Sequence, residues 1–561
     1  MAGSTRTFRS IYIVSSSKYK IARYTSSRSQ RNITFGAWEH RVARATRMGD
    51  PYLVYLGLAL VSLLVVLAGR RRRPAAAAKG LRPPPGPWQL PVIGSLHHIA
   101  GKLPHRAMRD LARRHGPVML LRVGEVPTLV VSSREAAREV MKTHDTAFAS
   151  RPLSATVSAL TGGGRDIIFA PYGEHWRQLR RIAITELLSA RRVASFRAIR
   201  EEEAAAMLRA CAAAAAGARP LEMRARLSAF VADATARAVL GDRCRDRDVF
   251  LRELDSSIQL AGGFNPADLW PSSRLVGKLS GSVRRAERCR DTVFGILDGI
   301  INEHLERMDS RAAAGETEDL LDVLLKIQKD GGLPIPLDMD IIKCVIFDIF
   351  GAGSETSATT LEWAIAELVK NPKAMRRATA EVRRAFEGEA TVAEQGLGEL
   401  RYLQLVVRET FRLHAPVPLL LPRESQEPCR VLGYDVPKGA TVLVNVWALG
   451  RDERYWPGGD AEAFRPERFE AGAGEAAGVD FRGGDFELLP FGAGRRMCPG
   501  MAFGLANVEL ALASLLFHFD WEAPGVADPA EFDMAEAFGI TARRKANLLL
   551  RPVLRVPVPG V

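Results

Sequence analysis

Apolar positions recur at intervals of three and four along much of this 561-residue chain, the spacing that lines one face of a helix. The pattern predicts helices over residues 106–114, 134–142, 173–188, 320–329, 361–370, 372–386 and 400–414, and residues 341–370 read as one long helix. The Ala-rich run 203–218 is low in complexity but built from strong helix formers. Strand signals are few and short: "PVMLLRVG" at 117–124, "PTLVVSS" at 127–133 and "GATVLVNVW" at 439–447. From about residue 83 onward there is no second linker and no internal repeat. The fold class expected is mainly α with small β-sheets, in one domain over residues 92–561.

One stretch lacks polar positions altogether. "PYLVYLGLALVSLLVVLAG", residues 51–69, runs nineteen residues without a charge. At about 1.5 Å per residue it spans about 28 Å, close to the ~30 Å hydrocarbon core of a bilayer. A cleaved signal has an apolar run of roughly 7–15 residues and a small-residue cleavage site after it. Here the run is longer and "RRRR" follows at once, so an uncleaved anchor is expected. Arg70, Arg71, Arg72, Arg73, Lys79 and Arg82 follow it, against Arg41, Arg44 and Arg47 before it. That bias leaves the C-terminal bulk in the cytosol. Residues 70–91 read as a basic, proline-rich linker whose five prolines favour a stiff rod. Residues 1–47 are rich in Ser and Arg, as an organelle transit peptide is. "MGDPYLVYL" at Met48, however, looks like a natural start directly before an anchor, so a disordered or absent extension is expected.

The net charge of +14 changes less than it suggests. Residues 1–47 carry ten Lys or Arg and one acid, Glu39; residues 48–82 carry six more and only Asp50. The rest of the chain is therefore neutral, and the basic face that nucleic-acid binding needs has no support. Cys211, Cys244, Cys289, Cys344, Cys429 and Cys498 are scattered, with no C-x-x-C pair. This is neither a disulfide framework nor a zinc ribbon, and a reducing compartment is expected. The ten histidines form no H-E-x-x-H set, and His414 and His518 read as structural.

Four stretches carry candidate chemistry. In "FGAGRRMCPG", 491–500, Cys498 follows Arg495 and Arg496 and precedes Pro499 and a long apolar helix. Cations and a helix N-terminus favour a thiolate. Gly492, Gly494 and Gly500 let backbone approach a flat ligand, so a thiolate on the iron of a haem suits the loop. In "FGAGSETSATTLEW" a Gly-Ser step weakens the middle of a helix beside Glu355 and Thr356, an acid and an alcohol able to relay protons; a solvated acid beside a self-bonded Thr is the plainer alternative. In "ETFRLHAP", Glu409 and Arg412 share a helix face. In "HWRQLR", Trp176 and Arg180 do so as well.

The first stretch resembles F-x-x-G-x-R-x-C-x-G, the haem-binding loop of the cytochrome P-450 monooxygenases, through Phe491, Gly494, Arg496, Cys498 and Gly500. The second is similar to that family's A-G-x-[DE]-T oxygen-binding helix, here Ala352, Gly353, Glu355 and Thr356. "PPPGPWQLPVIG" and "GAGSETSATTLEW" resemble plant microsomal members of the A-type group, and grass enzymes that oxidise terpenoids.

The resemblance implies haem b with Cys498 as axial ligand, O2 as co-substrate, and NADPH through a cytochrome reductase. Electrons must come from a separate protein, because no dinucleotide fingerprint is present. It implies a Glu409–Arg412–Arg468 set that locks the core. Trp176, Arg180, Arg423 and Arg496 are implied as propionate partners, Glu355 and Thr356 as proton managers. Arg177, Arg181, Arg191 and Arg192 suit an acidic reductase surface or a solvated helix face equally. The distal pocket is expected at Val157, Ile346, Phe350, Val417, Leu419, Leu420, Phe538 and Ile540. Their apolar character suits a sesquiterpene or diterpene; indole, phenolic and amino-acid-derived substrates stay open. The expected location is the endoplasmic-reticulum membrane, or a plastid or mitochondrion if residues 1–47 are a transit peptide. An O2-independent haem-thiolate isomerase or dehydratase and a non-catalytic haem carrier are the rival classes; a cysteine hydrolase finds no supporting histidine motif.

Overall fold

A computed structural model describes Gly57, Leu60 and residues 81–561, except Arg243, Arg245, residues 315–317, Ala473 and the side chains of 308–314. The expected extension 1–47, nearly all of the anchor 51–69 and the linker up to residue 80 lie outside the described residues. Eleven helices of nine or more residues occur among the described residues: α1 (Pro104–His115), α2 (Glu174–Ile182), α3 (Arg197–Ala216), α4 (Met223–Leu240), α5 (Arg247–Ala261), α6 (Ser282–Ala314), α7 (Leu320–Asp330), α8 (Met339–Lys370), α9 (Pro372–Ala385), α10 (Arg401–Leu413) and α11 (Met501–His518). The strands are β1 (Val118–Val123), β2 (Val126–Val131), β3 (Leu221–Glu222), β4 (Arg423–Glu424), β5 (Cys429–Val431), β6 (Tyr434–Val436), β7 (Thr441–Val444), β8 (Phe519–Glu522) and β9 (Leu549–Leu554).

Sheet order is β1-β2-β7-β4, with β3-β9-β8 and β5-β6 as smaller sheets. β1 and β2 form an antiparallel hairpin, β2 runs parallel to β7 with Leu129 opposite Val442, and β4 pairs antiparallel with β7. The mainly helical reading therefore holds, and the three quoted strand signals are β1, β2 and β7. The periodic segments quoted do not include α4, α5 or α6, or the short C-terminal strands.

Local chemistry fixes the long helices. Asp338 caps α8 by accepting the Ile341 N–H, and Asn371-Pro372 ends it and starts α9. Asp319 and Asp322 form a capping box at the start of α7. The core is built on α8: one cluster joins it to α3, α4, α10 and α11, and another joins it to α2, α5, α6 and α7. Among the described residues α11 alone is long and apolar enough to cross a membrane, yet 67% of it is buried in the protein. It is a core helix.

The proline-rich segment departs from a free rod. Pro84 and Pro87 are buried, the Leu120 N–H of β1 donates to Pro85 O at 2.8 Å, and a Cβ on Gly86 would lie 2.2 Å from Leu120 O. Residues 83–91 are thus packed on the domain rather than outside it. Six free cysteines are present, and Cys211, Cys244, Cys289 and Cys344 are buried. His414 is structural in its contacts, stacked on Trp363 at 4.1 Å with Nε2 2.6 Å from Glu367.

Candidate active site

The loop before α11 is fastened at both ends. Cys498 N–H donates to Phe491 O at 2.9 Å, and Arg495 N–H donates to Asp145 at 2.9 Å. Phe491 packs edge-on to Phe411 of α10 at 5.1 Å. Pro499 lies in the turn before α11 rather than in its first turn, since the helix begins at Met501. Gly494 is also placed otherwise than expected. Its φ is +68°, and a Cβ there would lie 2.2 Å from Met141 O and 2.8 Å from the Asp145 carboxylate. It is glycine because protein backbone crowds it, and it does not line the cavity; Gly492 and Gly500 do.

That cavity lies between α8, α11 and the loop, with about 1460 Å³ of space not filled by atoms, counted out to its mouth. Its lining runs from the thiol loop across to α8, so a guest set there would touch both. Cys498 is open to the cavity and enclosed by protein elsewhere. Burial raises its thiol, while the Gly500 N–H and the Arg180 charge act the other way.

Four arginines line the same cavity: Arg151, Arg180, Arg423 and Arg496. Backbone carbonyls take most of their donors. Arg151 Nε donates to Ile168 O at 2.9 Å, and its Nη1 to Leu421 O and Pro422 O at 2.9 Å. Arg496 Nε donates to Ala149 O at 2.6 Å, and Arg180 donates to Met497 O. Arg423 alone has a direct carboxylate, Asp145, at 3.2 Å. Burial pulls Arg496 down to about 9, helped by repulsion from Arg423. Burial, then the charges of Arg496 and Arg423, pull Arg151 well down too. Carbonyl dipoles do not cancel charge, so this surplus of buried cations requires an anionic guest. A haem with its two carboxylates, set over a thiol, fits that demand.

Trp176 is corrected in role. Its indole N–H is taken by Ile167 O at 3.1 Å, and its ring lies under the Arg496 guanidinium at 4.2 Å. It supports an arginine and has no donor left for a carboxylate. Arg151 escaped the sequence reading because a lone arginine before a proline gives no periodic or spacing signal.

The face of α8 toward the cavity is Asp348, Ile349, Ala352, Gly353, Thr356, Ser357 and Thr360, the three-and-four spacing of one helix face. Thr356 Oγ donates to Ala352 O at 2.7 Å. Glu355 is turned off this face. Its carboxylate accepts from Arg224 Nη2 at 2.9 Å, Thr359 at 3.0 Å, Thr541 at 3.1 Å, and Arg543. These partners hold the carboxylate outside the cavity lining, so acid and alcohol do not share the cavity.

Of the eight expected pocket residues, Val417 and Leu420 line the cavity and six do not. Ile346 and Phe350 are buried in the cluster that joins α8 to α5, where Phe350 meets Phe250 at 4.8 Å; Ile349 lines the cavity. Val157 is buried outside the cavity, and Leu419 packs on the cluster of Met119 and Leu121. Phe538 and Ile540 occupy the tip of a turn closed by Ala537 N–H to Arg543 O at 2.8 Å, and Phe538 is 62% exposed. A segment resemblance supplies neither helical phase nor turn geometry.

The core set comes together as expected. Arg412 Nε and Nη2 each donate to Glu409 at 2.7 Å, Arg468 Nε donates to Glu409 Oε1 at 3.0 Å, and all three side chains are fully buried. Arg177, Arg181 and Arg191 are exposed.

Residues 83–549 match the family profile of Cytochrome P450. Zealexin A1 synthase of Zea mays is 49% identical over 512 residues, covering 91% of this chain and 99% of its own length. Dolabradiene monooxygenase of Zea mays is 49% identical over 505 residues, covering 90% of this chain and 98% of its own. A zebra fish cytochrome P450 solved with abiraterone superposes with a TM-score of 0.67 at 27% identity, over 81% of this chain and all of that one. Cavity, thiol loop and profile agree, and the chain belongs to the cytochrome P450 monooxygenases of plant type.

Proposed function

We propose that this enzyme inserts one atom of O2 into a sesquiterpene or diterpene, with electrons from an NADPH–cytochrome reductase. The observation that carries the substrate class is the guest side of the cavity. Ile167, Ile168, Ile349, Ala352, Val417, Leu420 and Leu421 make it apolar, apart from Asp348 and hydroxyls along α8. A hydrocarbon guest loses little on leaving water for such a surface. The relatives named for zealexin and dolabradiene support the same class.

Cys498 is the sulfur that would hold the iron, and Arg151, Arg180, Arg423 and Arg496 would hold the carboxylates. When bound, haem supplies the oxidising chemistry on O2, and thiolate ligation favours O–O cleavage. Thr356 holds a hydroxyl proton at the cavity wall and returns its hydrogen bond to Ala352 O when idle. The apolar guest wall excludes water from the reacting face. The exposed arginines around α2 suit the acidic surface of a reductase. Residues 51–69 would tether the enzyme to the endoplasmic-reticulum membrane, with the domain cytosolic.

The test is a reduced CO difference spectrum of the purified enzyme with spin-shift titrations against a terpene panel, beside indole, phenolic and amino-acid-derived guests. A thiolate-type Soret band with saturable shifts for C15 or C20 hydrocarbons is expected. Shifts confined to the polar guests would overturn the substrate class.

A further inference from the structure

Asp348 lies on the cavity face of α8, two helical turns before Thr356, and is buried. Its Oδ2 accepts the N–H of Ile167 at 2.8 Å and of Ile168 at 3.0 Å. The carbonyls of the same two residues hold the cation cluster. Ile168 O accepts from Arg151 at 2.9 Å, and Ile167 O accepts from Trp176 at 3.1 Å and Arg496 at 3.4 Å. One carboxyl on α8 thus reaches the arginines through a single stretch of backbone.

A second buried carboxyl, Asp166, directly precedes the two amides that Asp348 holds, and its charge acts on Asp348. Its Oδ2 accepts the Phe169 N–H at 2.9 Å, while its Oδ1 is buried with no donor among the described residues. Two facing carboxylates in the interior repel, and a single proton between them removes the repulsion and satisfies the orphaned oxygen. The other groups near them are Arg496 and Arg151, whose charges attract Asp166, and Cys344 of α8, itself raised by burial. Burial pushes Asp166 up to about 6, and burial with the Asp166 charge pushes Asp348 well above the usual carboxylate range.

We propose that Asp166 and Asp348 share one proton, and that the paired acid fastens residues 166–170 to α8 so that their carbonyls keep Arg151 and Arg496 in place. These are positioning residues. The proton is taken from water on folding and leaves the pair with a single negative charge. As pH rises and the proton is lost, two charges face each other and the segment loosens. Acid conditions that keep it protonated hold the segment tight.

Hydrogen exchange of the full-length protein as purified, read by mass spectrometry on peptides covering residues 165–172, tests this. After correction for intrinsic rates, amides 167–169 should exchange about tenfold faster at about pH 8 than at about pH 6, the effect of one pKa unit. Asp348→Asn should abolish that step and stay protected at both values. Its oxygen can still accept from Ile167 and Ile168, and its NH2 can donate to Asp166. Asp166→Asn should behave alike, and Asp348→Leu should exchange fast throughout. No pH step in the native protein would overturn the shared proton, as would Asp348→Asn exchanging as fast as Asp348→Leu. Native protection in Asp348→Leu would overturn the clamp. The readout does not depend on what fills the cavity, so its failure leaves the proposed function standing.

Discussion

Arg224 Nη2 lies 2.9 Å from both carboxylate oxygens of Glu355, and it turns that side chain away from the cavity which the very next residue, Thr356, lines. Arg543 binds the same carboxylate and also reaches Asp255, while Arg224 Nη1 donates to Glu362 at 2.8 Å. The network ties α4, α5, α8 and the C-terminal turn together. Any proton routed through Glu355 must first break part of it.

Glu355 and Thr356 should therefore fail in different ways. Glu355→Ala leaves two partly buried guanidiniums short of a partner and should cost about 1–3 kcal/mol of stability. Thr356→Ala removes a hydroxyl at a cavity wall and should change stability by under about 1 kcal/mol, yet lower the product formed per NADPH consumed. Denaturant melts and coupling ratios of both variants check this. Equal melts with equal uncoupling would show the two residues acting as one unit.

The buried set around Glu409 makes the next case. Arg412 also donates to Ala461 O at 2.6 Å and Ala463 O at 2.9 Å, so it bridges α10 to the stretch that leads to the thiol loop. Arg412→Ala leaves a fully buried carboxylate with only Arg468 and the Arg465 N–H and should cost about 3–5 kcal/mol. Arg412→Lys should recover little, because one ammonium cannot replace a fork that serves Glu409 and three carbonyls, those of Gly450, Ala461 and Ala463. Unfolding midpoints and the fraction of protein recovered with thiolate-type CO binding report both.

These two sites show what a sequence makes legible. Glu409 and Arg412 are three apart on one helix, so their pairing is local and periodicity reveals it; Arg468 was placed only by resemblance. Cys498 stood out by its cations and glycines. Arg151 and Asp348 carry no such local signal, because their partners are backbone groups far along the chain. Ile346 and Phe350 belong to the segment the resemblance assigns to the cavity, but they pack into the core beside Phe250 of α5, a contact that no local pattern announces. Phe538 and Ile540 lie on a turn closed by Ala537 N–H and Arg543 O, a backbone pairing that no side-chain pattern announces.

The arginine cluster yields a prediction whose size differs between two states. Without an anionic guest, burial and then the repulsion of Arg423 lower Arg496 to about 9, so Arg496→Gln should alter the stability of the empty protein by under about 1 kcal/mol. With haem bound, the same change removes a charge-assisted contact of about 1.5–3 kcal/mol. Haem transfer to a scavenger globin should then run about tenfold to a hundredfold faster. A large loss in the empty protein with unchanged transfer would mean that the carbonyl bonds, not the charge, are what Arg496 supplies.

Glu536 anchors the turn that carries Phe538 and Ile540, and its titration makes the domain sensitive to acid. Burial alone would raise this carboxyl; the His105 hydrogen bond and the charges of His105, Arg106 and Arg451 outweigh it and hold Glu536 at about 2, against an ordinary 4.5. Trp447 Nε1 donates to its other oxygen at 3.0 Å. The folded state therefore binds this proton less readily than the unfolded chain. Its contribution is complete above about pH 4.5 and disappears as pH falls toward about 2. The difference corresponds to about 3 kcal/mol; Glu536 is only 2% exposed, whereas Arg106 is 46% exposed and contributes the smaller part. Glu536→Gln should lose that amount near neutral pH and show a flatter stability profile between about pH 4.5 and about pH 3. Urea midpoints measured across that window separate the two. If native protein and variant lose stability in parallel on acidification, the acid sensitivity resides in other carboxylates and the turn is held by packing alone.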